Sequence, residues 1–120
     1  MAYNYDTNNI FARILRGEIP NKTVLETEHA LAFYDIAPNA PVHVLVIPKG
    51  PYVNYGHFVA EASADEQLGF NAAVAEVLKT VDVSNGFRVV GNAGADANQE
   101  VPHFHLHILA GRNLGGLLPL

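Results

Sequence analysis

Apolar residues recur along this chain at two periods, and the period changes from segment to segment. Ile10, Phe11, Ile14 and Leu15 fall at the spacing of one helical face, with Asn8 and Asn9 available as a cap in front and Gly17 as a stop before Pro20. This predicts an amphipathic helix of about three turns at most. Thr23–Glu26 and Ala30–Tyr34 read as short strands flanking the turn Thr27-Glu28-His29, and so as a hairpin. Pro38 and Pro41 lack the N–H that a ladder needs, so the chain turns before a third strand, Val42–Ile47. The nearly continuous β-branched run of that strand predicts burial on both faces, and it makes the polar His43 conspicuous.

From Asp65 to Val81 the pattern is helical, with Phe70, Val74, Val77 and Val81 along one stripe and Ser63 and Glu66 at capping-box spacing. After the turn Ser84-Asn85-Gly86, two further strands are expected, Phe87–Val90 and Phe104–Leu109, separated by a loop over residues 91–100. Three strands, a long helix and two more strands with short connections predict a single α+β domain over residues 1–120 with a mainly antiparallel sheet.

Composition narrows the function classes. The chain has 120 residues, 49% of them hydrophobic, which is enough apolar material for one core. A formal charge of -5 with only seven Lys plus Arg supplies no basic stripe for a nucleic-acid polymer. A small phosphorylated ligand stays compatible, because backbone N–H groups, amides and imidazoles can hold one or two phosphates. The absence of cysteine excludes disulfides and thiolate chemistry. Polar residues through positions 1–20 interrupt any signal-type apolar run and no membrane-length run follows, so a cytoplasmic protein without membrane contact is expected. A deep pocket is hard to build in so small a domain, and pairing of two copies is one way to make it.

The segment His103-Phe104-His105-Leu106-His107 carries the candidate chemistry. In a strand, His103, His105 and His107 would project to one face while Phe104, Leu106 and Ile108 enter the core, with neighbouring imidazoles roughly 6.6 Å apart along the chain. Imidazole is substantially neutral at physiological pH yet serves as nucleophile, acid or donor. If a backbone carbonyl holds Nδ1–H of the middle ring, its Nε2 keeps a lone pair for in-line attack on phosphorus. The loop before it fits a phosphate cradle: Gly91, Gly94 and small alanines let the backbone approach, and Asn92 and Gln99 add neutral donors. The row by itself is equally compatible with zinc or another divalent ion. Asp35 reads as a sugar-hydroxyl acceptor or as a turn-former, and His43 as a buried hydrogen-bonded residue or as part of the site. His29 and His57 fall in expected loops and are expected to be solvated.

These residues resemble the histidine triad family. The likeness is carried by His103 to His107 with Ile108-Leu109-Ala110-Gly111-Arg112 after it, and by Asn92 and Gln99-Glu100-Val101 before it. Ile10-Phe11 through Pro20, Ala32 to Ile36 and Pro41 to Lys49 are similar to its Hint branch, the nucleoside phosphoramidases. The resemblance implies a five-stranded antiparallel sheet with one short N-terminal and one long helix, and a homodimer whose two sheets join. It also implies hydrolysis of purine nucleoside 5'-phosphoramidates or related nucleoside monophosphate derivatives, with no metal and no cofactor. His105 would be the nucleophile forming a nucleotidyl-histidine, His107 would contact the α-phosphate, His103 would orient His105 through its carbonyl, and His43 would complete the proton network. Ile10, Phe11, Ile14, Phe33 and Ile36 would line the purine pocket, with Tyr34 near the sugar and Asp35 on the ribose hydroxyls. Asn92, Gln99 and the Val101 amide would serve the phosphate. Two positions depart from the family pattern: Asn98 stands at a usual glycine, and Glu100 at the Hint serine. The other readings are a nucleotide- or partner-binding module with little turnover, and a dinucleoside polyphosphate hydrolase or nucleotidyl transferase of the same family.

Overall fold

Burial on both faces makes Val42–Pro48 the middle strand of the sheet. The computed structural model describes residues 3–118. In chain order they form helix α1 (Ile10–Leu15), strands β1 (Thr23–Glu26), β2 (Ala30–Tyr34) and β3 (Val42–Pro48), helices α2 (Tyr55–Glu61) and α3 (Ala64–Thr80), and strands β4 (Phe87–Val90) and β5 (Leu106–Ala110). The five strands form one sheet in the order β1-β2-β3-β5-β4, antiparallel at every pairing. This is the α+β fold and antiparallel sheet expected from the strand pattern.

Strand alternation divides the apolar residues between two cores. Ala30, Ala32, Val44, Val46 and Ile108 face α2 and α3, where Phe58, Phe70, Ala73, Val77 and Phe104 complete one cluster. Leu31, Phe33, Leu45 and Ile47 point the other way, against Phe11 and Ile14 of α1. His43 shares its parity with Leu45 and Ile47, and His107 pairs across the ladder with Leu45, so both imidazoles belong to the face that α1 only partly covers. The long helix covers one side of the sheet, and the short one leaves room for a cleft on the other.

Local chemistry fixes the helix ends. Asn9 accepts from the N–H groups of Phe11 and Ala12 at 3.0 and 2.9 Å and caps α1. Ser63 and Glu66 form the anticipated capping box on α3, each side chain accepting from the other's N–H at 3.1 Å. Gly69 in α3 lies under the ring of His29, where a Cβ would overlap the imidazole, so His29 is partly covered rather than solvated. Helix α2 is an element the hydrophobic pattern did not predict, because Gly56 and His57 stand among its apolar residues and leave no helical stripe. Asn54 caps it, and His57 lies within it, buried and accepting from the Val53 N–H at 2.9 Å, contrary to the solvated loop expected there.

Phe70 is buried in the larger cluster and touches both Phe58 and Phe104, with ring centroids 5.2 Å away in each case. Phe70→Ala is expected to lower unfolding free energy by about 3–5 kcal/mol. Leu68→Ala, two residues earlier and exposed, should change it by less than about 0.5 kcal/mol. Urea unfolding of the two variants measures the contrast.

Candidate active site

Strand β5 begins at Leu106, two residues later than the sequence pattern suggested, and this shift breaks up the expected row of imidazoles. His103 and Phe104 take their partners outside the ladder. The Phe104 N–H donates to the Tyr52 carbonyl at 2.7 Å, and His103 Nε2 lies 2.8 Å from the Pro48 carbonyl. The His103 side chain is completely buried and does not line the cleft. His105 and His107 do line it, with ring centroids 5.0 Å apart and planes at 63°. His43 stands behind them, buried, with Nε2 at 2.8 Å from His107 Nδ1.

Hydrogen-bond partners determine where each proton lies when the rings are neutral. A carbonyl only accepts, so His103 carries its proton on Nε2, toward Pro48, and its Nδ1 accepts from the Tyr5 hydroxyl at 2.6 Å. The Asn39 N–H donates to His43 Nδ1 at 3.1 Å, which places the His43 proton on Nε2 and directs it to His107 Nδ1. His107 is therefore left with an Nε2–H donor. His105 Nδ1 donates to the His103 carbonyl at 2.8 Å, so His105 Nε2 is a free lone pair. The middle ring is thus held by a backbone carbonyl as the sequence argument required.

Burial keeps these rings uncharged. It pushes His103 and His107 down to about 4, with His105 and His43 as further causes for His107, and it lowers His105 and His43 as well. Asp35 stands at the edge of this group: Oδ2 is 3.5 Å from His43 Nε2, and Oδ1 accepts from the Ala37 N–H at 2.8 Å. One oxygen thus makes the turn, as one reading of Asp35 had it, and the residue also lines the cleft.

The cleft has a volume of about 680 Å³, within the usual range for small-molecule sites. Ile10, Phe11, Ile14 and Phe33 form its apolar end, with Tyr34 and the almost fully exposed Ile36 at the rim. Asn92, Gln99, Glu100 and Val101 line it as well, with Val101 packed against the Phe11 and Phe33 cluster, so all the expected lining residues meet in one place. A smaller cavity near Asp82 and Arg112 contains none of the histidines.

Gln99 does something other than expected. Its Nε2 donates to the carbonyls of Val53 and Val101 at 2.7 and 3.0 Å, and its Oε1 accepts from the Gly94 N–H at 3.0 Å. Both amide protons are engaged, so Gln99 braces the loop rather than offering a donor to a ligand. Asn98 adopts the left-handed conformation at φ 55°, which asparagine tolerates better than most non-glycine residues, and this explains how the loop forms without glycine there. Tyr5 and Asn39, which set the protons of His103 and His43, were not singled out in the sequence. They lie 98 and 4 residues from their partners, and no pattern in the chain marks either.

The sheet thus presents one unprotonated and one proton-bearing imidazole nitrogen to a cleft of small-molecule size. The HIT domain model matches residues 16–114, and the chain belongs to the HIT family. It is 58% identical over 119 residues, covering 98% of each chain, to an uncharacterized 13.2 kDa HIT-like protein of Azospirillum brasilense. It is 43% identical over 110 residues to a 14 kDa zinc-binding protein of Zea mays, covering 91% of this chain and 86% of that one. Among solved structures, a HIT family hydrolase from Clostridium thermocellum superposes with a TM-score of 0.84 at 34% identity, covering 92% of this chain and 97% of that one. Among the described residues no helix is long and apolar enough to cross a membrane.

The buried neutral rings make stability depend on pH. In the unfolded chain a histidine titrates near 6.5, whereas His103 and His107 in the fold do so at about 4. Above pH 6.5 neither state binds the proton and this contribution is complete. Below it the unfolded chain binds protons that the native rings refuse, so stability falls down to about pH 4. Urea unfolding between pH 7.5 and 5 should show a loss approaching about 1.4 kcal/mol per pH unit for each histidine, and His103→Asn should reduce the slope.

Proposed function

We propose that the protein is a nucleotide hydrolase of the Hint branch that cleaves purine nucleoside 5'-phosphoramidates or related nucleoside monophosphate derivatives through a covalent intermediate on His105. The observation that carries this reading is the proton placement at His105: Nδ1–H is spent on the His103 carbonyl, which leaves Nε2 as a lone pair at the cleft. A purine would occupy the end formed by Ile10, Phe11, Ile14 and Phe33, and the ribose hydroxyls would meet Asp35. The phosphate would lie between His105, His107 and the loop at Asn92 and Val101.

In the first step His105 Nε2 bonds to phosphorus and the P–N bond to the amine breaks. A bound phosphate brings negative charge beside the His43–His107 pair and raises its affinity for a proton. That proton passes from His107 Nε2 to the departing amine. Water then attacks the phosphorus of the nucleotidyl-histidine, returns one proton to the pair and releases the nucleoside 5'-monophosphate.

Charge supports an amine leaving group over the polyphosphate of the dinucleoside alternative. No Lys or Arg lines the cleft among the described residues, while Asp35 and Glu100 both do. A polyanionic leaving group would meet carboxylates with no cation to offset them. A resident metal fits poorly. Asp35, His43 and His107 bring donor atoms within 4.8 Å of one another, but His43 Nε2 carries the proton fixed by Asn39, so fewer than the three protein ligands of a catalytic zinc site are free. A homodimer is part of the proposal. β4 is an edge strand, and Phe87 and Val89 stand exposed on it, which suits pairing with the same strand of a second copy.

Single-turnover hydrolysis of a fluorogenic adenosine phosphoramidate tests the reading. Wild type, running as a dimer by light scattering, should give a burst that survives a chelator. His105→Asn should lose at least about 10³-fold in rate while still binding the nucleoside monophosphate. No wild-type turnover would move the binding module to first place, and turnover abolished by the chelator would favour the metal.

A further inference from the structure

The pairing of β5 with β3 begins at Val46 and Leu106, so no ladder bond places the His103 carbonyl that orients His105. Three other hydrogen bonds hold this stretch. The Phe104 N–H donates to the Tyr52 carbonyl at 2.7 Å, and the remaining two end on the His103 ring, one at the Pro48 carbonyl and one at the Tyr5 hydroxyl. That ring is completely buried, and its Nδ1, forced to be an acceptor, finds its donor in Tyr5 alone among the described residues.

Tyr5 is itself held in place by the chain around it. Two residues earlier, Tyr3 stacks on His57 with centroids 4.4 Å apart and planes within 7°. Four residues later, the buried Asn9 donates to the Asp6 carbonyl at 2.8 Å while its other amide atom caps α1. The N-terminal segment is thus fastened on both sides of Tyr5, and neither Tyr5 nor His103 lines the cleft.

We infer that Tyr5 is a positioning residue for His105: its hydroxyl fixes the ring of His103, and with it the carbonyl that keeps Nδ1–H of His105 donating and Nε2 free. The inference rests on the role proposed above for His105. Replacing Tyr5 by Phe keeps the aromatic packing and removes only the donor. Because the His103 ring is itself completely buried, its Nδ1 then regains a partner within the protein only by rotating the ring, which breaks the Pro48 bond, or by taking up a proton. Either change disturbs the backbone at residue 103 and loosens the grip on His105.

Two measurements on Tyr5→Phe decide the matter. In long-range 1H–15N spectra of the protein without substrate, wild type should show His105 as the pure Nδ1–H tautomer and His103 as the Nε2–H tautomer. In the variant His103 should lose that signature and His105 should become a mixture. With the fluorogenic phosphoramidate, kcat should fall about tenfold, the scale of one hydrogen bond, with KM within about twofold. A variant that keeps the wild-type His105 tautomer, or keeps wild-type kcat, overturns the inference even if it melts at a lower temperature. Should wild type itself turn over nothing, the hydrolase reading fails, and the tautomer spectra, which need no substrate, still decide the role of Tyr5.

Discussion

One hydrogen bond, from His105 Nδ1 to the His103 carbonyl at 2.8 Å, decides what chemistry the cleft offers. A neutral imidazole has one proton for two nitrogens, and a carbonyl beside Nδ1 settles which nitrogen takes it. The rest of the structure serves to keep that carbonyl in place. β5 joins the sheet only at Leu106, and the residues before it are tied instead to the end of β3, to Tyr52 and to Tyr5. The same device operates on the second wall of imidazoles, where the Asn39 N–H sets His43, and His43 in turn sets His107. Two backbone groups, one carbonyl and one N–H, thereby leave a lone pair on His105 and a proton on His107.

Burial supports this arrangement electrostatically. Taking imidazoles out of water disfavours their charged form, and each of the rings around the cleft titrates below its ordinary range. Neutral rings with every nitrogen assigned make a better-defined site than charged ones, because a protonated His105 would have no lone pair to offer. Among the described residues no buried side-chain nitrogen or oxygen lacks a partner, which is how so polar a group is tolerated beside the Phe11 and Leu45 cluster. The opposite face of the sheet has a simpler task. Packed under α3 and its capping box, it gives the strands a close-packed backing.

Much of this was legible in the chain. The apolar pattern identified the five strands and both α1 and α3, because β-branched and apolar runs bounded by turn residues mark the strands and a helical stripe behind a capping residue marks each helix. The alternation of His103, His105 and His107 pointed to a segment that brings two imidazoles to the cleft, and the residues expected to line a nucleotide pocket gather around it. What the pattern missed has definite causes. Helix α2 is short and carries His57 and Gly56 in place of a stripe. The start of β5 is decided by bonds to Pro48 and Tyr52, which are distant in sequence, and so the three histidines were placed in one row when only two line the cleft. Gln99 looked like a free donor because nothing in the sequence reveals that Val53 lies beside it. Tyr5 was invisible for the same reason: a lone tyrosine near the start of a chain has no periodic signature.

The account stands on His105 as the attacking group, and the most direct test is to trap what it forms. Wild-type protein mixed with an adenosine phosphoramidate, quenched in alkali within one turnover and digested, should yield a peptide spanning residues 103–112 that carries a nucleotidyl group on His105. Turnover without any such adduct, or an adduct on His103 or His107 instead, would contradict the proton placement from which the mechanism is built.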